Sequence, residues 1–155
     1  MPHLLAFDLS GSSHSCSQVG ETFAYSHGTK AASYVRMHQS SFRGLEVWQH
    51  AMTLTDGVYD LTESFPRHEL YGLTSQLRRA AVRIPSNIAE GSRQKTGKAK
   101  ANYYINARGS VAEIETQLEV GRRRKYARDV SIRPIESLAV RVGQMLDRLI
   151  ESTND

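Results

Sequence analysis

Residues 70–91 read LYGLTSQLRRAAVRIPSNIAEG and predict one long helix with a proline inside it. Pro85 has no amide hydrogen, so it leaves the carbonyl of Ala81 without its helical partner and bends the axis. Gly91 is expected to end the helix, because glycine enters the left-handed cap conformation without steric cost. Apolar residues recur at steps of three and four, which places them on one side of the helix. They are Leu70, Leu73, Leu77, Ala81, Ile84 and Ile88.

The same periodicity predicts three further helices, at about 44–64, 98–126 and 131–152. Pro66 and Pro134 suit the first turns of the second and fourth helices, and Ser131 is a candidate cap. Gly109 and Ser110, inside the third helix, would let another helix approach closely. Four amphipathic helices with short links favour an all-α fold, an antiparallel up-down-up-down four-helix bundle in residues 42–155. The expected core residues in these three helices are Val47, Ala51, Leu54, Val58, Leu61, Phe65, Tyr104, Ala107, Val111, Ile114, Leu118, Gly121, Ile135, Leu138, Val142, Met145 or Leu146, and Leu149.

Residues 1–41 differ from the rest of the chain. They are rich in Ser, Gly and His, and no helical apolar stripe persists in them. Such a composition buries too little apolar surface to offset the entropy of ordering, so we predict a poorly ordered N-terminal extension. Met37 stands just before the patterned region, and translation starting there is an alternative to a flexible tail.

The composition of the chain indicates the cellular compartment in which the protein is expected. Cys16 is the single cysteine among 155 residues, so an internal disulfide is impossible and a reducing cytoplasm is the simplest location. The N-terminus is a poor signal peptide, because no basic residues precede its short apolar run. No segment approaches the roughly 18 apolar residues of a membrane span, so no membrane partner is expected.

Positive charge is concentrated in the middle of the chain. The formal net charge is +4, yet between Arg67 and Arg108 nine basic residues face two acidic ones. Lysines and arginines that displace condensed counterions would bind RNA or DNA with an affinity that falls steeply with salt. No cofactor is indicated. The predicted nucleic-acid-binding residues are Arg78, Arg79, Arg83, Arg93, Lys95, Lys98, Lys100, Arg122, Arg123, Arg124 and Lys125.

The alternative interpretation of these charges is a set of ordinary solvated helix faces. Glu119 would then pair with Arg123 one turn away, and the remaining charge would be incidental or would recruit an acidic protein. Aromatic residues among the basic ones are few, because Tyr104 belongs to the core stripe and leaves only Tyr103 near the lysines. We therefore expect shape and phosphate contacts rather than base reading.

A second apolar stripe on the first helix predicts self-association. It consists of Leu45, Trp48, Met52 and Tyr59 and lies beside the core stripe. The apolar surface is thus wider than one partner helix requires. Large aromatics such as Trp48 are frequent anchors of subunit interfaces, so we predict an oligomer interface here.

No catalytic or metal site is predicted. Carboxylate-bridged di-metal bundles need a Glu-x-x-His spacing, which the chain lacks, so a site built on Glu90, Glu113 and Glu115 is disfavoured. Glu90 is instead expected to pair with an arginine, within one subunit or between subunits. Ser86 and Asn87 are expected to satisfy backbone groups freed at the proline kink. The segment GSRQKTG has glycines but lacks the lysine–serine arrangement of a phosphate-binding loop. These features favour a protein that is not an enzyme.

Four segments together resemble one protein family. They are FRGLEVWQHAM (42–52), YGLTSQLRRA (71–80), IPSNIAEG (84–91) and ARGSVAEIETQLE (107–119). Their order and spacing resemble the small bacterial 23S ribosomal RNA intervening-sequence proteins, over about residues 42–152. The same family includes the accessory variability determinant of diversity-generating retroelements.

The resemblance implies a fold and partners but no catalytic residues. Members of the family are four-helix bundles that tend to form ring-like pentamers, and the retroelement accessory protein binds nucleic acid and a reverse transcriptase. This chain departs from the pattern at two places. Arg83 stands where a small serine is common, and RRRK at 122–125 replaces a more neutral stretch. The resemblance thus implies a homopentameric accessory protein that binds RNA or DNA, or alternatively a structural partner of a reverse transcriptase.

Overall fold

The computed structural model of the chain describes residues 42–153, which form four α-helices. Short 3-10 helices at Phe42–Gly44 and Arg67–Glu69 precede the first and second of them. The predicted N-terminal extension, residues 1–41, lies outside the described residues. The helices are α1 (Glu46–Glu63), α2 (Leu73–Ser92), α3 (Gly97–Arg123) and α4 (Asp129–Ser152).

Each helix packs against its neighbours in the chain, and α4 closes the bundle against α1. Within residues 42–153, α2 therefore lies diagonally opposite α4, and α1 lies opposite α3. The connections between helices are short, so successive helices run antiparallel. This arrangement confirms the predicted all-α, up-down-up-down four-helix bundle.

The core occupies the predicted positions with few exceptions. Leu70 is 51% exposed, because α2 begins only at Leu73 and the preceding residues turn away from the core. Leu138, Met145 and Leu149 pack at the margin of the core and are partly buried. The predicted core residues that are buried are Val47, Ala51, Leu54, Val58, Leu61, Phe65, Leu77, Ala81, Ile84, Ile88, Tyr104, Ala107, Val111, Ile114, Leu118, Gly121, Ile135, Val142 and Leu146.

The carbonyl group that Pro85 leaves free is satisfied from another helix. The hydroxyl of Thr55 in α1 lies 3.1 Å from the carbonyl oxygen of Ala81 and 2.8 Å from that of Ala51 in its own helix. Thr55 and Ala81 are both buried, so water does not replace this contact. A shared hydroxyl donor thus compensates for the missing amide of Pro85.

The expected role of Ser86 and Asn87 at this kink was wrong. Ser86 donates to the carbonyl of Val82 at 2.8 Å, and the Asn87 amide donates to that of Arg83 at 2.7 Å. Both bonds run back one turn along the exposed side of α2. Neither bond reaches the buried carbonyl that the proline frees.

Gly91 does not end α2, contrary to the sequence-based expectation. The helix continues to Ser92, and Arg93 caps it in a right-handed conformation. Gly91 is buried, and a Cβ atom added to it would lie 2.6 Å from Cε1 of Tyr104 in α3. Its lack of a side chain therefore allows the ring of Tyr104 to pack directly on the backbone of α2.

Gly109 also differs from its predicted role. It is exposed, and a Cβ atom added to it would have no neighbour within 4 Å. The adjacent Ser110 is fully buried and donates to the carbonyl of Asn106. The close approach in this part of α3 is made by Arg108, whose guanidinium lies over Gly143 of α4.

The turn after α3 places a lysine where glycine is usual. Lys125 has φ 58°, the left-handed conformation that follows many helix ends. Its amide donates to the carbonyl of Arg122, and the amide of Tyr126 donates to that of Gly121, each at 3.0 Å. These two bonds form a Schellman motif, which stops α3 at Arg123 rather than at the predicted residue 126.

The start of α4 was also predicted too late in the chain. Arg128 is the N-cap and accepts from the amides of Ser131 and Ile132, so Ser131 is already helical. Pro134 consequently lies in the second turn, where it removes the amide partner of the Val130 carbonyl. Val130 and Pro134 are exposed, so water can donate a hydrogen bond to the carbonyl oxygen of Val130.

Glu69 connects two loops at one end of the bundle. One carboxylate oxygen accepts from the amide of Leu73, at the start of α2, at 2.9 Å. The other accepts from the hydroxyl of Tyr126, in the turn between α3 and α4, at 2.8 Å. The amide of Leu73 and the hydroxyl of Tyr126 both donate to the charged carboxylate and lower the pKa of Glu69.

The lowered pKa of Glu69 predicts a pH dependence of stability. Because the folded state favours the ionised carboxylate, its contribution is present above the ordinary glutamate pKa of about 4.3 and is lost as the pH falls through the lowered value. We expect Glu69→Gln to lower the melting temperature at pH 7 by roughly 2–4 °C. The gap from the parent should close below about pH 4. Thermal denaturation of both proteins between pH 7 and pH 3 measures this difference in melting temperature. A difference that stays constant with pH would contradict the stabilising role of the ionised Glu69 carboxylate. Glu63→Gln, at the exposed end of α1, is the control.

Candidate nucleic-acid interface

The outward side of α2 carries a row of cationic side chains. Arg79, Arg83 and Arg93 are exposed and fall within about 100° of one another around the helix axis. Their spacing along the helix gives the row a length of about 21 Å. Glu90 is exposed on the same side and is the one carboxylate of α2. Three of the predicted binding residues thus share one surface, which we call the α2 face.

Arg83 already has a carboxylate partner. Its guanidinium donates to both oxygens of Glu113 in α3, at 3.1 and 3.3 Å. Both side chains are about half exposed, so the pair is screened by solvent and contributes little to stability. A phosphate group could therefore compete with Glu113 for this arginine.

Arg78 is fixed between α1 and α2. Its Nε donates to the hydroxyl of Thr62 at 2.8 Å, and its guanidinium lies over the ring of Tyr59 at 4.7 Å. Arg78 is half-buried, whereas Tyr59 is 40% exposed. The two side chains form a stacked pair that holds the guanidinium at the edge of the α2 face.

An open groove of about 700 Å³ runs beside the α2 face. Its walls combine exposed apolar side chains with three arginines, and no carboxylate lines it. Within residues 42–153, Tyr71 is the most exposed large hydrophobic side chain, at 92%. Leu70 and Val82 are also exposed in the groove. Sequence reasoning missed this groove, because Leu70 was assigned to the core stripe. Its lining residues are Tyr59, Leu70, Tyr71, Thr74, Ser75, Arg78, Arg79, Val82 and Arg83.

Positive charge continues into the link between α2 and α3. Arg93 lies over the ring of Phe42 at 5.3 Å, which holds it at the end of α2. Lys95 and Lys98 are exposed, and Lys100 is half-buried. None of these three lysines forms an ion pair with any residue from 42 to 153. The link thus extends the α2 face with unpaired cations.

The structure does not bring Arg122 and Arg123 to the α2 face. Arg122 is half-buried at the end of α3 and faces α4. Arg122 contacts Glu119 at 2.7 Å, Asp129 at 2.9 Å and Glu136 at 2.6 Å.

The charge of this arginine pair is balanced by carboxylates. Arg123 contacts Glu119 at 2.8 Å, as the alternative interpretation of the charges predicted. The hydrogen bonds from Arg123 and Arg122 lower the pKa of Glu119, and Arg122 lowers that of Asp129. Carboxylates, chiefly that of Glu136, raise the pKa of Arg122. Arg122 therefore connects α3 to α4, whereas Arg123 is exposed and pairs within α3.

The remaining cations of this end are exposed but separate from the groove. Lys125 occupies the left-handed turn position, and Arg124 lies 3.3 Å from the hydroxyl of Tyr126. Neither of them lines the groove. The predicted set of eleven basic residues is thus divided between the α2 face with its link and the end of α3 with the turn that follows it.

The predicted oligomer interface is partly covered by the chain itself. Leu45 and Trp48 pack against the core, and the ring of Trp48 meets that of Phe42 at 5.3 Å. Met52 is half-buried, and Tyr59 lines the groove. Most of the second apolar stripe of α1 thus packs against other residues of the same chain.

A smaller open groove of about 250 Å³ lies between α1 and α4 and is lined by Leu45, Glu46, Val47, Met145, Arg148 and Leu149. Of the four predicted interface residues, Leu45 lines this groove.

The described residues show neither a metal cluster nor a membrane-spanning helix. Between residues 42 and 153 no three His, Cys, Asp or Glu side chains converge as metal ligands. Glu113 pairs with Arg83. Glu90 has no arginine partner among residues 42–153, so its pairing between subunits stays a prediction. No helix in this part of the chain combines the length and apolar character needed to cross a membrane.

Comparison with known proteins agrees with the resemblance of the sequence segments. The family model described as 23S rRNA-intervening sequence protein matches residues 43–148, from the 3-10 helix before α1 almost to the end of α4. A search of curated proteins gives no match. The matched region includes all four helices, the α2 face and the groove. Because the match to the family model spans about two thirds of the chain, the protein belongs to the 23S rRNA-intervening sequence protein family.

Proposed function

We propose that the protein is a non-enzymatic accessory factor that binds RNA or DNA and acts as a homo-oligomer. The observation that carries the proposal is the α2 face, where Arg79, Arg83 and Arg93 form one row that Lys95 and Lys98 extend. The contrast with Arg122, which three carboxylates surround, shows that only part of the positive charge is available. The part that we assign to phosphate binding lies along α2 and the link that follows it.

Binding to this surface would be mainly electrostatic. Arginines and lysines that contact phosphates release condensed counterions, so affinity falls with salt concentration. The planar guanidinium of Arg79 can donate two parallel hydrogen bonds to one phosphate. The row on α2 is about 21 Å long, which would span about six nucleotides of a stacked strand at 3.4 Å each.

Charge reversal on α2 tests the proposal. We expect Arg79→Glu combined with Arg83→Glu to weaken binding of a fluorescein-labelled RNA at least tenfold at 50 mM salt, because two phosphate contacts become repulsive. The slope of log K against log salt should fall by roughly 1.4–1.8. Fluorescence anisotropy measures both quantities. Arg78 is left unchanged, because its contacts to Thr62 and Tyr59 are part of the packing.

The chain offers a control with the same change of charge. Arg133 and Arg141 are exposed on α4, which is diagonally opposite α2, and neither lines the groove between α1 and α4. Reversing both to glutamate should weaken binding much less than the α2 pair, although the net charge changes equally. An equal loss in both variants would show that only overall charge matters. Absence of RNA and DNA binding by the parent protein at low salt would remove the proposal altogether.

Self-association is the second part of the proposal. The family resemblance favours a pentamer, and the open apolar groove between α1 and α4 provides uncovered surface for it. Its lining pairs apolar Leu45, Met145 and Leu149 with charged Glu46 and Arg148. Multiple copies would repeat each cationic row, so weak phosphate contacts would add through avidity. Light scattering at micromolar concentration tests this, and a strict monomer contradicts it.

A protein-interaction module is the alternative function. The groove beside the α2 face is mainly apolar, and tyrosine with arginine is the composition of many protein-binding hot spots. In that case the groove would receive a protein, for example a reverse transcriptase, without direct contact to nucleic acid. The α2 charge reversal would then disrupt the protein complex, and the free protein would not bind RNA at low salt.

A further inference from the structure

The groove on α2 contains exposed rings beside its arginines, an arrangement that phosphate binding alone does not require. Tyr71 is 92% exposed just before Gly72, the N-cap of α2, and makes no ring contact with any described residue. Its ring is therefore almost free of contacts with residues 42–153. Tyr59 is 40% exposed and carries the guanidinium of Arg78 on its ring. Two planar surfaces therefore lie along one groove.

We infer that this groove is a site for unpaired nucleotides, in which Tyr71 and the Arg78–Tyr59 pair stack on bases while Arg79 and Arg83 hold phosphates. The inference rests on the proposed binding of nucleic acid and specifies its class as single-stranded. Bases in a duplex already stack on each other, so their faces are not available to a tyrosine ring. Unpaired bases stack readily on aromatic rings and guanidinium planes, with little sequence preference.

The dimensions and charges of the groove suit a short single strand. From Tyr71 to Arg83 the helix rises about 18 Å, enough for three to five nucleotides. No carboxylate lines the groove. A phosphate can compete with Glu113 for Arg83, because that ion pair is about half exposed. Both carboxylate oxygens of the nearby Glu69 already accept hydrogen bonds, from Leu73 and Tyr126. The lining therefore complements a polyanion.

Stacking on tyrosine rings would add to the phosphate contacts that the sequence predicts. Few aromatics appeared among the basic residues, so shape and phosphate contacts alone were expected. The fold supplies the missing rings, because it places Tyr59 of α1 and Tyr71 of the link before α2 beside the arginines of the groove. Stacking on these rings can accompany phosphate binding. The result would be a preference for unpaired strands without base-specific hydrogen bonds.

The test compares a fluorescein-labelled oligouridine of twelve nucleotides with a blunt twelve-base-pair RNA duplex. We expect Tyr71→Ala to weaken single-strand binding about tenfold, the typical loss of one stacked base, and to change duplex binding less than twofold. Tyr71→Phe keeps the ring and should bind like the parent. Val130→Ala, at an exposed apolar site on α4, is the control for general loss of surface. Because Tyr71 is almost fully exposed, these variants should fold normally.

The outcomes separate the inference from the proposed function. If Tyr71→Ala leaves single-strand binding unchanged while the Arg79 and Arg83 reversal abolishes it, the protein binds nucleic acid but not through this stacking. If the parent binds neither probe at low salt, both fail. If Tyr71→Ala instead changes the solution mass measured by light scattering, the ring contacts another copy of the chain and the inference is overturned.

Discussion

Replacing Gly91 with alanine is expected to destabilise the bundle by about 2 kcal/mol, the typical cost of overpacking a tight contact. The added Cβ would lie 2.6 Å from Cε1 and 3.0 Å from Cδ1 of Tyr104, and 3.0 Å from Cβ of Tyr103. Tyr104 is only 4% exposed, so its ring cannot swing into solvent without leaving the core. The two helices would have to separate, which disturbs the most extensive helix pairing of the bundle.

Gly109 provides a matched control for this prediction. It also lies inside a helix, but a Cβ there would meet nothing within 4 Å. Gly109→Ala should therefore stabilise the protein by about 0.5–1 kcal/mol, because alanine loses less backbone entropy in a helix. Urea denaturation of both variants measures the contrast. If Gly91→Ala is as stable as Gly109→Ala, the packing of Tyr104 on the backbone of α2 is not tight.

The second large effect is expected at Thr55. Thr55→Val keeps the shape of the side chain but removes the hydroxyl that donates to the carbonyl of Ala81 at 3.1 Å. Because Pro85 supplies no amide to that carbonyl, the oxygen would be left unsatisfied in the core. An unsatisfied buried acceptor costs about 1–3 kcal/mol, so the free energy of unfolding should fall by that amount.

A nearby threonine provides the control. Thr53 lies in the same helix, is exposed, and donates to the carbonyl of Gln49 within its own helix. Thr53→Val should change stability by less than about 0.5 kcal/mol, because water can replace the lost bond. A cost at Thr53 as large as that at Thr55 would indicate an effect of the valine side chain itself.

A double-mutant cycle with Pro85→Ala isolates the contact between Thr55 and the freed carbonyl. Alanine at 85 restores an amide hydrogen four residues after Ala81, so the carbonyl no longer needs the hydroxyl. Thr55→Val should then cost less in the Pro85→Ala background, by about 1 kcal/mol or more. Urea denaturation of the four proteins gives the coupling energy. Additive effects would show that Thr55 does not compensate for Pro85.

The distribution of apolar residues was sufficient to predict the bundle. Burial of one side of each helix repeats every three or four residues, so the pattern within α1 or α3 shows directly which residues face inward. The predicted core residues of both helices are buried. The ends of the helices were less predictable, because they depend on single contacts such as the carboxylate of Glu69 that caps Leu73.

The candidate site was only partly predictable for a similar reason. The sequence indicates which residues are basic but not which of them have carboxylate partners. Arg122 forms ion pairs with Asp129 and Glu136, so it is less available to bind a phosphate. These carboxylates approach it only when α3 and α4 pack together. Tyr59 stacks on Arg78 only because α1 lies against α2.

By itself, the sequence determined the helix number, the core side of each helix and the membership in the 23S rRNA-intervening sequence protein family. These properties arise from local periodicity and from short segments, both of which are readable along the chain. The tertiary structure alone decided that Gly91 is a packing position, that Thr55 donates to the carbonyl freed by Pro85, and that Arg122 is paired with carboxylates of α4. Each of these depends on the distance between atoms of different helices, which only packing sets.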